Sequence, residues 1–338
     1  MEAQFRVVAR AERDRLGEGP VWVPERGRLF WVDIEAPALR WLDLASGETG
    51  TRPFPEPIGW IIPRAGRRDF VIGLKSGFAV FDLEADQVTP IGNPEPDYPD
   101  NRLNDAKVDY AGRIWAGSMH QAETAISGAL HRLDPDLTWQ RMDGDYGVAN
   151  GPTFSHDGRI LYHSDSAART VFAFDLAADG TLTGKREFLR FPEAWGWPDG
   201  MTTDAEGCLW IAHWGAGRIS RVDPEGRLVR AISLPATNIT SCAFAGPGLD
   251  RLFVTSASRG AEHEPSAGAL FELDVGVAGL RRGRSGAEGR RASRLPRRAR
   301  SLAPDRDRQI VWLVSLGWGM RSRGAASSVG PSPRRDHL

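Results

Sequence analysis

A unit of about 40 to 50 residues recurs six times along the chain, and this periodicity constrains the fold more than any other feature. Each unit opens at a Gly- or Asp-marked turn into a short β-forming run. Gly27-Arg28-Leu29-Phe30-Trp31-Val32-Asp33, Gly112-Arg113-Ile114-Trp115-Ala116-Gly117, Gly207-Cys208-Leu209-Trp210-Ile211-Ala212 and Asp250-Arg251-Leu252-Phe253-Val254-Thr255 show the pattern. A second run ending in an acid follows, as in Leu39-Arg40-Trp41-Leu42-Asp43 and Ile219-Ser220-Arg221-Val222-Asp223. Several strands per unit at this period are the signature of a β-propeller, whose units all begin around one central channel.

Each unit reads as four strands. A short first strand precedes the turn, for example Val21-Trp22-Val23, Pro152-Thr153-Phe154 and Met201-Thr202-Thr203. A fourth is visible in Arg186-Glu187-Phe188-Leu189-Arg190 and Leu228-Val229-Arg230-Ala231-Ile232, but unit six lacks one. The unassigned Phe5-Arg6-Val7-Val8-Ala9 is expected to supply it, because closing the ring removes an exposed sheet edge. The reading is an all-β, six-bladed β-propeller over residues 1–280. Phe30, Trp115, Leu161, Trp210 and Phe253 recur in one strand register and read as packing between blades.

Bulk properties agree. The 38 Gly and 23 Pro suit a chain of tight turns, and no helical period of useful length interrupts the repeat. The N-terminus has no apolar leader, and the longest apolar stretch, Ile310–Met320, is about half a bilayer span. Cys208 and Cys242 lie in different units and suggest no disulfide framework, so a soluble cytoplasmic protein is expected. The net charge of −1 hides an asymmetry: residues 281–338 carry 15 Arg, no Lys and 4 acids, which leaves 28 basic and 40 acidic residues in the body. This Arg-rich C-terminal tail reads as a disordered extension, such as GC-rich DNA translated out of frame. A nucleic-acid-binding arm is the lesser reading, since no aromatic residues are spaced for base stacking.

Chemistry is expected where the first strands begin. Nine or ten residues before the turn, four units carry Glu18, Asn104, Asn150 and Asp199 in the shared register. Equivalent register in a propeller means equivalent radius and height, so these side chains should converge on the axis. Taken singly, Asn150-Gly151 and Asp199-Gly200 are ordinary turn dipeptides and Glu18 a solvated loop acid. Together, two carboxylates and two amide oxygens form an oxygen cage for a hard divalent cation, and without one the acids would repel. Ca²⁺, Mg²⁺ and Mn²⁺ fit these ligands, and Zn²⁺ accepts carboxylate oxygens. The chain carries no Gly-x-Ser-x-Gly elbow, Gly-x-Gly-x-x-Gly after a strand, Walker-type loop or His-Glu-x-x-His. His120 and His263 read as rim or loop residues.

Through Gly17-Glu18-Gly19-Pro20-Val21-Trp22, Asn101-Arg102-Leu103-Asn104-Asp105, Ala116-Gly117-Ser118-Met119, Asn150-Gly151, Pro198-Asp199-Gly200-Met201 and Thr240-Ser241-Cys242-Ala243-Phe244, the chain resembles the regucalcin/gluconolactonase family of sugar lactonases from about Leu16 to Leu280. The resemblance implies that Glu18, Asn150 and Asp199 ligate one divalent metal, while Arg102 and Asn104 hold the substrate. Glu123 is the candidate for a substrate-contacting Glu, at the cost of a one-residue insertion. The expected activity is metal-assisted hydrolysis of a sugar lactone with Asp199 as general base. Trp60, Trp195 and Trp197 are available for stacking on a sugar, though packing is the plainer role for them. A propeller esterase or phosphotriesterase using the same metal, or a calcium-binding protein without turnover, are the alternatives.

Overall fold

The computed structural model describes residues 5–280; the Arg-rich tail and its expected disorder lie outside the described residues. Among those residues the chain forms six four-stranded antiparallel sheets. Their innermost strands are Gly17–Val23, Ile58–Pro63, Asn101–Val108, Ala149–Phe154, Trp197–Thr203 and Asn238–Ala245, which define blades 1 to 6. Neighbouring inner strands touch in chain order, and the first meets the sixth, so the sheets close into the six-bladed ring that the repeat predicts.

The sixth sheet is completed from the other end of the chain. Phe5–Val7 pairs with Phe271–Leu273, as the missing fourth strand required. The arm that follows is pinned by Asp14, a fully buried carboxylate. It accepts hydrogen bonds from Arg10 Nη1 at 2.9 Å and from Trp31 Nε1 at 2.9 Å. Similar buried anchors recur in blades 3 and 5. Asp109 accepts from Trp115 Nε1 and Arg113 Nε, and Asp204 from Trp210 Nε1 and Arg221 Nε. The turn acid therefore satisfies the indole that the aromatic repeat places between blades. Phe30, Trp115, Leu161, Trp210 and Phe253 are all completely buried there.

The inner strands are longer than their sequence reading. They run six to eight residues and begin upstream of the expected three-residue cores. Each breaks register with its neighbour at one recurrent place, between Glu18 and Val21, Ile58 and Trp60, Leu103 and Ala106, Asn150 and Thr153, Pro198 and Met201, and Ile239 and Cys242. Asn150-Gly151 and Asp199-Gly200 are thus bulges inside strands rather than turns between them. Cys208 and Cys242 are buried free thiols.

Candidate functional site

A bulge re-aims the side chains beside it, and the six bulges share one height around the axis. Glu18, Asn104, Asn150 and Asp199 each lie at or within one of these bulges, where the strict in-and-out alternation of a flat strand is suspended. The backbones must also approach closely. A Cβ on Gly200 would sit 2.2 Å from Ser241 Oγ, and one on Gly151, whose φ is +31°, would sit 2.9 Å from the Asp199 carbonyl oxygen. The small residues after Asn150 and Asp199 are therefore conditions for ring closure.

Glu18, Arg102, Asn104, Asn150 and Asp199 are all buried. Asn150 Nδ2 donates to Ser166 Oγ at 3.2 Å, and Ser166 Oγ donates to the Pro198 carbonyl at 2.6 Å. This chain of bonds fixes the amide so that Oδ1, which accepts the Gly151 N–H at 3.3 Å, keeps a lone pair to offer. Glu18 Oε2 accepts the Gly19 N–H at 3.1 Å. Asn104 is committed elsewhere: its Oδ1 accepts from Arg102 Nη1 at 2.5 Å, and its Nδ2 donates to the Ala149 carbonyl at 2.9 Å. Arg102 and Asn104 are thus joined as one unit, whereas no other side chain takes up Asp199 Oδ1, and Glu18 Oε2 and Asn150 Oδ1 accept only from the backbone.

Burial and like charge dominate the electrostatics here. Burial first, and then the charge of Asp105, push the Glu18 carboxyl up to about 8. Burial, followed by Glu18 and Asp105, raises Asp199 well above the ordinary carboxylate range. Asp199 Oδ1 is buried with no hydrogen-bond partner. An orphaned carboxylate oxygen amid like charges fits a hard divalent cation. Among the described residues no three His, Cys, Asp or Glu side chains gather as a metal-binding group, so the fit depends on Asn150 as the third donor. Burial lowers Arg102 to about 10 despite the opposing charges of Glu18 and Glu123.

Asp105 is the residue that sequence reasoning passed over. It is buried, raised by burial and partly offset by Lys107, and its Oδ1 accepts the Ala106 N–H at 2.7 Å. Alternation would send Asp105 away from whichever face Asn104 occupies, but the bulge between Leu103 and Ala106 suspends that rule. The available signal was its place immediately after Asn104. Glu123 lies apart from the buried set, half-exposed at the rim and bonded to Arg259 Nη1 at 2.8 Å. Of the tryptophans, Trp60 is core, whereas Trp197 is exposed with the Arg169 guanidinium 4.6 Å above its ring. The other end of the channel opens into a separate cavity of about 500 Å³, lined by later inner-strand residues such as Val21, Lys107, Thr153 and Phe244. No described helix is long and apolar enough to cross a membrane.

Residues 16–258 match the family model described as SMP-30/Gluconolactonase/LRE-like region. The chain is 35% identical over 284 residues to regucalcin of Gallus gallus, covering 80% of this chain and 94% of that protein. It is 36% identical over 280 residues to pentonolactonase XacC of Haloferax volcanii, covering 78% and 92% respectively. Among solved structures, a calcium-binding protein, regucalcin, of Agrobacterium tumefaciens superposes with a TM-score of 0.77 at 28% identity, over 82% of this chain and 97% of that one. The motifs that carried the resemblance all fall within these matches, and the chain belongs to the SMP-30/gluconolactonase/LRE-like family.

Proposed function

We propose that this protein hydrolyses a sugar lactone to the aldonic acid with one divalent cation, Ca²⁺, Zn²⁺, Mn²⁺ or Mg²⁺, held by Glu18, Asn150 and Asp199. The observation that carries the reading is the unpartnered Asp199 Oδ1, buried within the field of Glu18. When bound, the cation supplies Lewis acidity at the lactone carbonyl and stabilises the oxyanion. Arg102, whose Nη1 is braced by Asn104, presents the rest of its donor fork to ring hydroxyl or carbonyl oxygens and orients the lactone. Asp199 takes the proton of the attacking water as its oxygen bonds to the carbonyl carbon. The same proton goes to the ring oxygen as the ester C–O bond breaks, which leaves a carboxylic acid and an alcohol. Glu123 stands at the rim to meet a distal hydroxyl.

The pentonolactonase relative supports lactone over aryl ester or phosphotriester as substrate, and the polar wall of Arg102 and Asn104 favours a hydroxylated ring. The test is a chelator-stripped protein refilled with each of the four cations and assayed on aldonolactones, phenyl esters and phosphotriesters. Lactone turnover that disappears on stripping and returns with a cation is expected. Turnover confined to the esters would overturn the reading, and tight cation binding with no turnover would make this a calcium-binding protein instead.

A further inference from the structure

We infer that Arg259 is a clasp across the channel mouth, which must release Glu123 before a lactone enters and so governs KM rather than kcat. This deepens the lactonase reading and rests on it. Glu123 follows Ile114–His120, the second strand of blade 3, and Arg259 follows Arg251–Ala257, the second strand of blade 6. Second strands run antiparallel to inner strands, so both segments emerge at the end of the channel where Arg102 lies. In a six-bladed ring, blades 3 and 6 stand diametrically opposite. An ion pair between them crosses the axis.

That pair is made at 2.8 Å between Arg259 Nη1 and Glu123 Oε1. Arg259 Nε also reaches Glu35 Oε1, on the equivalent segment of blade 1, at 3.3 Å. The guanidinium fork is thus anchored to its neighbouring blade and extended to the opposite one. Beneath it lies Arg102, which feels the charges of Glu123, Arg259 and Glu35 together. Glu123 holds a left-handed backbone at φ +58°, an uncommon conformation for a long side chain and one that collects at functional sites. Both partners are about two-fifths exposed, so the pair is weak enough to open and close during turnover.

An uncharged lactone has no electrostatic reason of its own to respond to salt. The clasp provides one, because salt screens exposed pairs. With gluconolactone and the saturating cation, raising NaCl from about 10 to about 500 mM is expected to lower the KM of the parent about three- to five-fold, with kcat held within about two-fold. Arg259→Gln should show the low KM at every salt concentration. Arg259→Lys, which keeps the charge but loses the fork, should retain part of the salt response. A parent that turns over lactone with a salt-independent KM would sink the clasp while leaving the lactonase reading intact, and so would an Arg259→Gln variant with raised KM or lowered kcat. A parent that turns over no lactone would end the lactonase reading. A measurement independent of catalysis judges the geometry: Glu123→Cys/Arg259→Cys treated with a short bis-maleimide should cross-link within one molecule, which neither single variant should do, since Cys208 and Cys242 are buried. Failure of the double variant to cross-link would show that the two segments do not meet across the mouth.

Discussion

Phe5 pairs with Leu273, so the first described residue of the chain completes the last blade. The junction continues through the Val8 N–H to the Leu270 carbonyl at 2.9 Å and the Asp14 N–H to the Gly268 carbonyl at 2.9 Å. An open ring would expose the edge of Phe271–Leu273 and undo the Asp14 anchor. Removal of residues 1–12 is therefore expected to cost several kcal/mol, a fall in Tm of order 10 °C, measured by calorimetry. Removal of 281–338 is the contrasting truncation, expected to leave lactone turnover intact. Unchanged melting of the first variant would separate ring closure from stability.

Asp199→Ala should reduce kcat at least about 100-fold, because it removes both the proton acceptor and a cation donor. In chelator the same variant should melt higher than the parent, since it relieves the like-charge field around Glu18. Added cation should raise its Tm far less than that of the parent. Glu18→Gln should follow the same pattern in thermal shift assays with each cation. Full lactone turnover in both variants would place the site elsewhere.

The raised Glu18 carboxyl makes a signed prediction for cation-free protein. Folded, it holds its proton up to about 8, whereas the unfolded chain releases it near 4.5. The folded state thus binds more protons across this window, and stability falls as pH rises through it, by a few kcal/mol. Asp199, raised for the same reasons, acts in the same direction. Melting curves between about pH 6.5 and pH 8 in chelator should slope downward, and saturating cation should flatten them. A chelated protein whose Tm stays level over that range would show that the two acids are not forced together.

The acid limb has a different origin. His163 and His213 are buried and held neutral, each lowered to about 3 by loss of hydration. The unfolded chain protonates them near 6.5, so this contribution is fully present above that pH and is lost progressively as pH falls toward 3. His163 packs edge-on against Tyr146 at 4.7 Å. His163→Phe should keep this contact and flatten the loss of Tm between pH 6 and pH 4. An acid limb as steep as that of the parent would assign the sensitivity to other groups.

Gly151→Ala tests the bulge itself. The new Cβ would meet the Asp199 carbonyl oxygen at 2.9 Å and the Met201 nitrogen at 3.0 Å, both backbone atoms with little room to yield. Expected are a Tm lower by several degrees and cation affinity reduced more than tenfold, read by titration calorimetry. Wild-type affinity would mean that Asn150 and Asp199 do not share one site.

The repeat itself was legible because blade packing depends on local alternation and turn chemistry, and these are written within each unit. The turn acids, the buried Phe30 and Trp210, and the spare strand at Phe5 all announced their roles without reference to distant segments. Glu18, Asn150 and Asp199 stood out as candidates for a related reason: a shared register in a ring translates directly into a shared height. What lay beyond the sequence depended on where one blade meets another. Asp105 joins the acidic group because a bulge cancels the alternation that would have turned it away. Asn104 is drawn to Arg102 by a hydrogen bond that its register does not specify. Arg259 finds Glu123 only because six blades place the third opposite the sixth, and that distance is set by closure of the whole ring rather than by any stretch of chain.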